Sequence, residues 1–242
     1  MELSIIIITL NEEANLPRLL SDLEQQSFSG FEIIHVDSRS DDATVGASRS
    51  WSQKFEHYSI VEMSERGVSL GRNVGASHAR GRRLLFLDAD SRLPRTFLAN
   101  SMGELKRREL QLGIVCMSGA ELPWHYRLGF GLFNAGIWIS SKFFPTAIGA
   151  CLFSTPELHQ CIGGFDEQLT LCEDCDYALR SFRNNRGGVG VLNDKFRFDA
   201  RRLVQDGLLT TGLIYLEANA RRLLLGELRN NEIPYEFGHY RR

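Results

Sequence analysis

Lysine is nearly missing from this chain. Lys54, Lys106, Lys142 and Lys195 are the whole set among 28 basic residues, leaving 24 arginines. With 30 acidic residues the net charge is −2, which excludes a strongly basic nucleic-acid binder, and no nucleic-acid partner is expected. The basic chemistry runs through guanidinium groups, which suit bidentate contact with phosphate or carboxylate. A basic leader with an A-x-A cleavage site is also lacking, because Met1 leads straight into the apolar run Leu3–Leu10. Cys116, Cys151, Cys161, Cys172 and Cys175 are odd in number. Without a secretory signature they read as free thiols of a cytoplasmic protein. Cys172 and Cys175 have CxxC spacing, but no second CxxC or HxxxH completes a structural zinc site, so both read as ordinary cysteines. Repeats, linkers and low-complexity tracts are absent too. At 242 residues, 43% apolar and 24% charged, the chain reads as one domain, 1–242, with ample core.

Apolar periodicity gives the organisation. The β-branched run 3–10, LSIIIITL, reads as a fully buried parallel strand. Leu16, Leu19, Leu20 and Leu23 follow at helix spacing, with Pro17 in the first turn. Residues 32–36 form a second buried strand, 42–50 a helix, 58–63 a third strand, 73–79 a helix and 84–87, LLFL, a fourth strand. Alternating strands and helices predict an α/β fold with a mostly parallel central sheet flanked by helices. Residues 1–110 are the first half and 111–207 the second, with a helical tail over 208–242. Residues 156–162 and 174–185 read as helices. The segment 128–153 carries a single charge, Lys142, but Asn134, Pro145 and glycines interrupt it. It reads as partly buried or interfacial rather than as a span. Its aromatics Phe130 and Trp138, with Trp124 before them, read as core. In the tail, Leu209, Leu213, Leu216, Leu223 and Leu224 form an apolar face beside Arg221 and Arg222. That face reads as core packing in preference to a membrane surface.

In open α/β sheets ligands bind beyond the carboxyl ends of the strands, so the chemistry is expected at Thr9–Asn11, Asp37–Asp42 and Asp88–Asp90. Asp88-Ala89-Asp90 places two carboxylates at a strand end. They can share a hard divalent cation whose octahedron phosphate and water complete. The structural alternative is a cap on the following helix, which Ser91 can supply alone. Asp37 can accept a hydrogen bond from a nucleobase imide, whereas Asp42 and Thr44 read as turn and cap residues. Gly71-Arg72-Asn73-Val74-Gly75 offers close backbone approach and an arginine for a diphosphate. It is not the G-x-G-x-x-G fingerprint of dinucleotide sites. Glu173, Asp174 and Asp176 follow Gly163-Gly164-Phe165-Asp166-Glu167. A carboxylate there can act as general base toward a hydroxyl, or the three acids can simply favour a helix N-terminus. His35, inside a strand, reads as a core histidine.

Taken in order, SIIIITLNEE (4–13), VDSRSDDAT (36–44), GRNVGASHARG (71–81), LFLDADS (85–91), IGGFDE (162–167), EDCDYALR (173–180) and ARRLVQDG (200–207) resemble the family 2 glycosyltransferases, inverting enzymes of the GT-A fold. The resemblance covers about 3–207 and implies that residues 1–110 are a nucleotide-binding half and 111–207 an acceptor half. It implies that Thr9 and Asn11 line a nucleotide pocket, that Asp37 contacts the base, usually uracil, that Arg72 contacts the nucleotide, and that Asp88 lies near the ribose. It further implies Mg²⁺ or Mn²⁺ on Asp90, a catalytic base at Asp174 paired with Glu173, and Arg201 and Arg202 near the leaving diphosphate. The implied partners are a nucleoside-diphosphate-sugar donor, a UDP-sugar by preference, and a glycan, lipid-linked or small-molecule acceptor. Peripheral contact with the inner face of a membrane would suit a lipid-linked acceptor. The chain departs from the family at Ser38 and Arg39, which stand where an acid or small residue and a glycine are usual. It also lacks the Q-x-x-R-W motif of processive members, so a single transfer in the synthesis of a cell-surface glycan or glycolipid is expected. Two alternatives compete. A sugar-phosphate nucleotidyltransferase would carry a glycine-rich, lysine-containing loop where TLNEEANLPR stands. A non-catalytic nucleotide-sugar-binding relative would usually have lost Asp88, Asp90 and Asp174.

Overall fold

The computed structural model describes residues 1–169, 171–198, 217–219, 221–224 and 226–227. Strand β1, Leu3–Thr9, is buried at every position. It is flanked in parallel by β2, Phe31–Asp37, and β4, Arg83–Asp88, and β2 is flanked by the parallel edge strand β3, Tyr58–Glu62. The crossovers are α1 (Leu16–Glu24), α2 (Thr44–Ser52) and α3 (Val68–His78). α1 buries Leu16, Leu19, Leu20 and Leu23. α3 lies so close to β1 that a Cβ on Gly75 would stand 2.3 Å from Ile6 Cγ2. That glycine serves helix–sheet packing.

Beyond β4 the sheet becomes mixed. β7, Cys151–Ser154, pairs antiparallel with β4 and with β6, Leu112–Met117. β8, Val189–Phe198, runs parallel to β6, and the short β5, Ser91–Arg92, runs antiparallel to β8. The order is β3-β2-β1-β4-β7-β6-β8-β5. The parallel expectation therefore holds for the first half of the sheet. β6, β7 and β8 were not foreseen: β7 lies in the apolar stretch 128–153, where periodicity cannot separate strand from buried helix.

Helices α4 (Phe97–Arg107), α6 (Pro156–Cys161) and α7 (Glu173–Asn184) cover the sheet, and α5 (Trp124–Ser140) lies on the end of β6. Ser91 does not cap α4; it sits in β5 and donates to the Ala150 carbonyl at 3.0 Å. Among the described residues no helix is long and apolar enough to cross a membrane. Phe130 is buried as expected. Trp124 and Trp138 are 74% and 60% exposed, against the reading of both as core. In the tail Ala218 is buried beside Cys172 and Cys175, whereas Leu223 and Leu224 are exposed and do not pack as expected. Leu209, Leu213 and Leu216 lie outside the described residues.

Candidate active site

The loops after β1 and β2 are laced together. Ser40 Oγ accepts the Asn11 amide at 2.9 Å, Thr44 Oγ1 the Glu12 amide at 2.8 Å, and Asp42 Oδ2 the Glu13 amide at 3.2 Å. Asn11 Oδ1 returns the contact by accepting the Asp41 amide at 2.8 Å. Asp42 also accepts the Thr44 amide at 2.9 Å, a local turn bond at the start of α2. Asn11 and Arg39 hold φ of 59° and 61°, so the departure from the usual glycine at position 39 falls on left-handed backbone.

Asp37 is the buried centre of this region. It accepts the Thr9 hydroxyl at 2.7 Å, the Ser40 hydroxyl at 2.6 Å and the Ser40 amide at 2.8 Å. Thr9 is equally buried, and its register pairs it with Asp37. Because Thr9 donates to Asp37, its oxygen accepts from His35 Nε2, 2.8 Å away. His35 Nδ1 then accepts from Ser48 Oγ at 2.7 Å, and Ser48 accepts from the Tyr58 hydroxyl at 2.8 Å. Burial lowers the His35 pKa to about 4, against the pull of Asp37, and so keeps the ring neutral. Burial pushes Tyr58 up to about 12. His35 is a satisfied core histidine, as expected, and it supports Thr9 and hence Asp37.

The second centre is Arg72, whose side chain is 2% exposed. Its Nη2 lies 3.1 Å from Asp88 Oδ1 at the end of β4, and its Nη1 2.6 Å from Glu173 Oε1 at the start of α7. The guanidinium also stands 5.1 Å from the ring centroid of Phe165. Burial disfavours the Arg72 charge, but Asp88, Glu173 and Asp174 outweigh it and hold the proton more firmly than usual. Glu173 titrates above the ordinary glutamate range. Burial is the main cause and the neighbouring Asp174 carboxylate adds to it, with Arg72 opposing. The neighbour of Arg72, Asn73, clasps the turn 165–167 through Phe165 N, Phe165 O and Glu167 Oε1 at 2.8, 2.9 and 2.8 Å.

Asp174 Oδ2 accepts the Gly149 amide at 2.6 Å and Oδ1 the Cys175 amide at 2.7 Å. The adjoining Ala150 carbonyl takes the Asp88 amide at 3.1 Å and the Ser91 hydroxyl. One backbone segment, Gly149–Ala150, thus joins Asp88 at the end of β4 to Asp174 at the start of α7. A Cβ on Gly149 would lie 2.6 Å from Arg72 Nη2. Asp176 turns away to pair with Arg180, so for this acid the structural reading holds. Asp88, Asp90, Glu173 and Asp174 are all half-buried. Arg201 and Arg202 lie outside the described residues. Gly149, Ser48 and Tyr58 escaped sequence reasoning; a lone glycine inside an apolar run was the available signal.

A profile of the family described as Glycosyl transferase family 2 matches residues 4–170. The chain belongs to glycosyl transferase family 2. A PGL/p-HBAD biosynthesis glycosyltransferase of Mycobacterium tuberculosis is 30% identical over 188 residues, covering 75% of this chain and 70% of that one. Among solved structures, Staphylococcus aureus TarS 1–349 in complex with UDP is 21% identical, with a TM-score of 0.65 over 81% of this chain and 60% of that chain. The mannosyltransferase PcManGT of Pyrobaculum calidifontis, in complex with GDP-Man and Mn²⁺, is 23% identical, with a TM-score of 0.68 over 80% of this chain and 55% of that chain. The fold is therefore the GT-A fold of these glycosyltransferases. The chain spans less than two thirds of the two solved chains.

Proposed function

We propose that this family 2 enzyme transfers a single sugar from a nucleoside-diphosphate sugar, UDP-linked by preference, to an acceptor hydroxyl with inversion, in cell-surface glycan or glycolipid synthesis. The observation that carries this reading is the meeting of Asp88 and Glu173 on Arg72 and of Asp88 and Asp174 on Gly149–Ala150. It sets half-buried carboxylates beyond the ends of parallel strands, where α/β sheets bind ligands. In this reading Asn11 meets the base, Asp37 acts on that contact from beneath by holding Ser40, which binds the Asn11 amide, Thr9 fixes Asp37, and Asp88 faces the ribose. Arg72 acts from within by setting Asp88 and Glu173, since its own side chain is enclosed. Arg201 and Arg202 are assigned to the leaving diphosphate. The free cysteines among the described residues support a cytoplasmic setting.

Asp90 would hold Mg²⁺ or Mn²⁺. The hard oxygen donors after β4 fit such an ion. Among the described residues no group of three or more His, Cys, Asp or Glu could hold a metal ion by itself, so donor phosphates and water would have to complete the shell. When bound, the cation supplies Lewis-acid neutralisation of charge on the departing diphosphate. Asp174 takes the proton of the acceptor hydroxyl as that oxygen attacks the anomeric carbon from the face opposite the leaving group, which inverts the centre. The bonds from the Gly149 and Cys175 amides fix the direction of the carboxylate.

The test is thermal shift and calorimetry with UDP, GDP, dTDP and UMP, each with Mn²⁺ and with EDTA. Binding raises stability as RT ln(1 + [L]/Kd). A UDP-selective shift that EDTA removes, and that Asp90→Ala makes indifferent to Mn²⁺, is expected. A GDP-selective shift would correct the donor, and no shift with any nucleotide would overturn the reading.

A further inference from the structure

Helix α5 is apolar on both sides. Phe130, Asn134 and Ile137 face the body; the rings and methyls of the first and last are buried, and the Asn134 amide donates to the Met117 carbonyl at 2.8 Å. On the opposite side Trp124, Leu128, Leu132, Ala135 and Ile139 recur at spacings of four, four, three and four. Trp124, Leu128, Leu132 and Ile139 are 56–74% exposed, and Phe143 just past the helix is 63% exposed. A helix apolar all round belongs under cover, and a contiguous exposed apolar stripe marks an interaction surface.

We propose that this outward face of α5 docks on an anionic phospholipid bilayer, lying in the plane of the headgroups. Charge selects the partner. Arg127 and Lys142 are exposed beside the stripe, and no Asp or Glu occurs from 122 to 156. Two copies meeting on this face about a two-fold axis would set like charges together, whereas an anionic surface satisfies them. Aromatic placement selects a bilayer over an acidic protein. Trp124 begins the stripe and Trp138 flanks its far end beside Ile139, about 21 Å away along the helix at 1.5 Å per residue. Lys142 lies 5.5 Å over the Trp138 ring, an arrangement of amphipathic rings and a snorkelling lysine that suits the headgroup level. The helix is too short to span and lies on the surface instead. The segment 141–148 runs directly from α5 to Gly149, so docking would hold the Gly149–Asp174 contact close to the lipid surface. None of this rests on the donor-site reading.

The test is sedimentation of the full chain with vesicles of phosphatidylcholine alone and with added phosphatidylglycerol, together with tryptophan quenching by brominated lipid. Selective pelleting with the anionic vesicles and quenching of Trp124 and Trp138 are expected. Leu128→Ser combined with Leu132→Ser should lower partitioning roughly tenfold or more, as should Arg127→Glu with Lys142→Glu. Both should keep the parent melting temperature and its nucleotide-induced thermal shift. Absence of pelleting overturns the proposal, as does pelleting that the serine pair leaves unchanged. A concentration-dependent dimer that the serine pair abolishes would assign the face to a second copy and equally overturn it.

Discussion

Arg72 of α3 and Glu173 of α7 stand 101 positions apart, yet Nη1 and Oε1 approach to 2.6 Å. With Asp88 on the same guanidinium, this contact ties the parallel half of the sheet to the helix that carries Asp174. Removing one member of a buried ion pair strands the others and costs about 3–5 kcal/mol. Arg72→Met should therefore lower the melting temperature by roughly 10 °C, with kcat falling alongside. Arg72→Lys should recover part of the stability, because a point charge cannot bridge both acids as the planar fork does. Calorimetry on the two variants checks this, and an unchanged melting temperature in Arg72→Met would refute the strut.

Asp174→Asn should lower kcat roughly 10²–10⁴-fold, the usual worth of a general base, with nucleotide affinity preserved. Single-turnover transfer and calorimetry separate the two effects. Full transfer by the variant would remove Asp174 from the role of base.

His35 carries a pH signature. Its folded pKa of about 4 lies below the ordinary 6.5, so between these values the unfolded chain binds a proton that the native state does not. Stability is thus intact above pH 6.5 and declines as pH falls toward 4, by on the order of 3 kcal/mol for this group. His159, likewise lowered to about 4 by burial and by Arg180, adds to the slope. Urea titrations between pH 7 and 4.5 should show a shallower decline for His35→Gln, and an identical slope would contradict the buried neutral ring.

Arg39 sits at φ 61°, which costs an L-residue about 1–2 kcal/mol. Arg39→Gly should stabilise the fold by about 0.5–1 kcal/mol, after the extra chain entropy of glycine is set against the relief. Arg39→Val should destabilise it, since a β-branched side chain fits left-handed backbone worst. Denaturation midpoints in the order Gly, Arg, Val are expected.

Much of the frame was legible. Buried parallel strands are continuous apolar runs, so β1, β2 and β4 and the polar residues at their ends stood out directly. The spacing of Leu16, Leu19, Leu20 and Leu23 identified α1 for the same reason. β6, β7 and β8 did not stand out, because glycines or neighbouring apolar helix blurred their period. The two tryptophans of α5 misled, since composition says that a ring is apolar and not which side of a helix the protein covers.

The sequence by itself determined the alternating first half, the family motifs and their order, and the positions of Thr9, Asp37, Asp88 and Asp174 at element ends. These follow from local periodicity and strand polarity. Only the tertiary structure decided what Arg72 touches, why residue 149 is glycine, and that His35 stands behind Thr9. Those are contacts between elements distant in the chain, set by how closely α3 packs on β1 and where α7 begins. No local pattern encodes them.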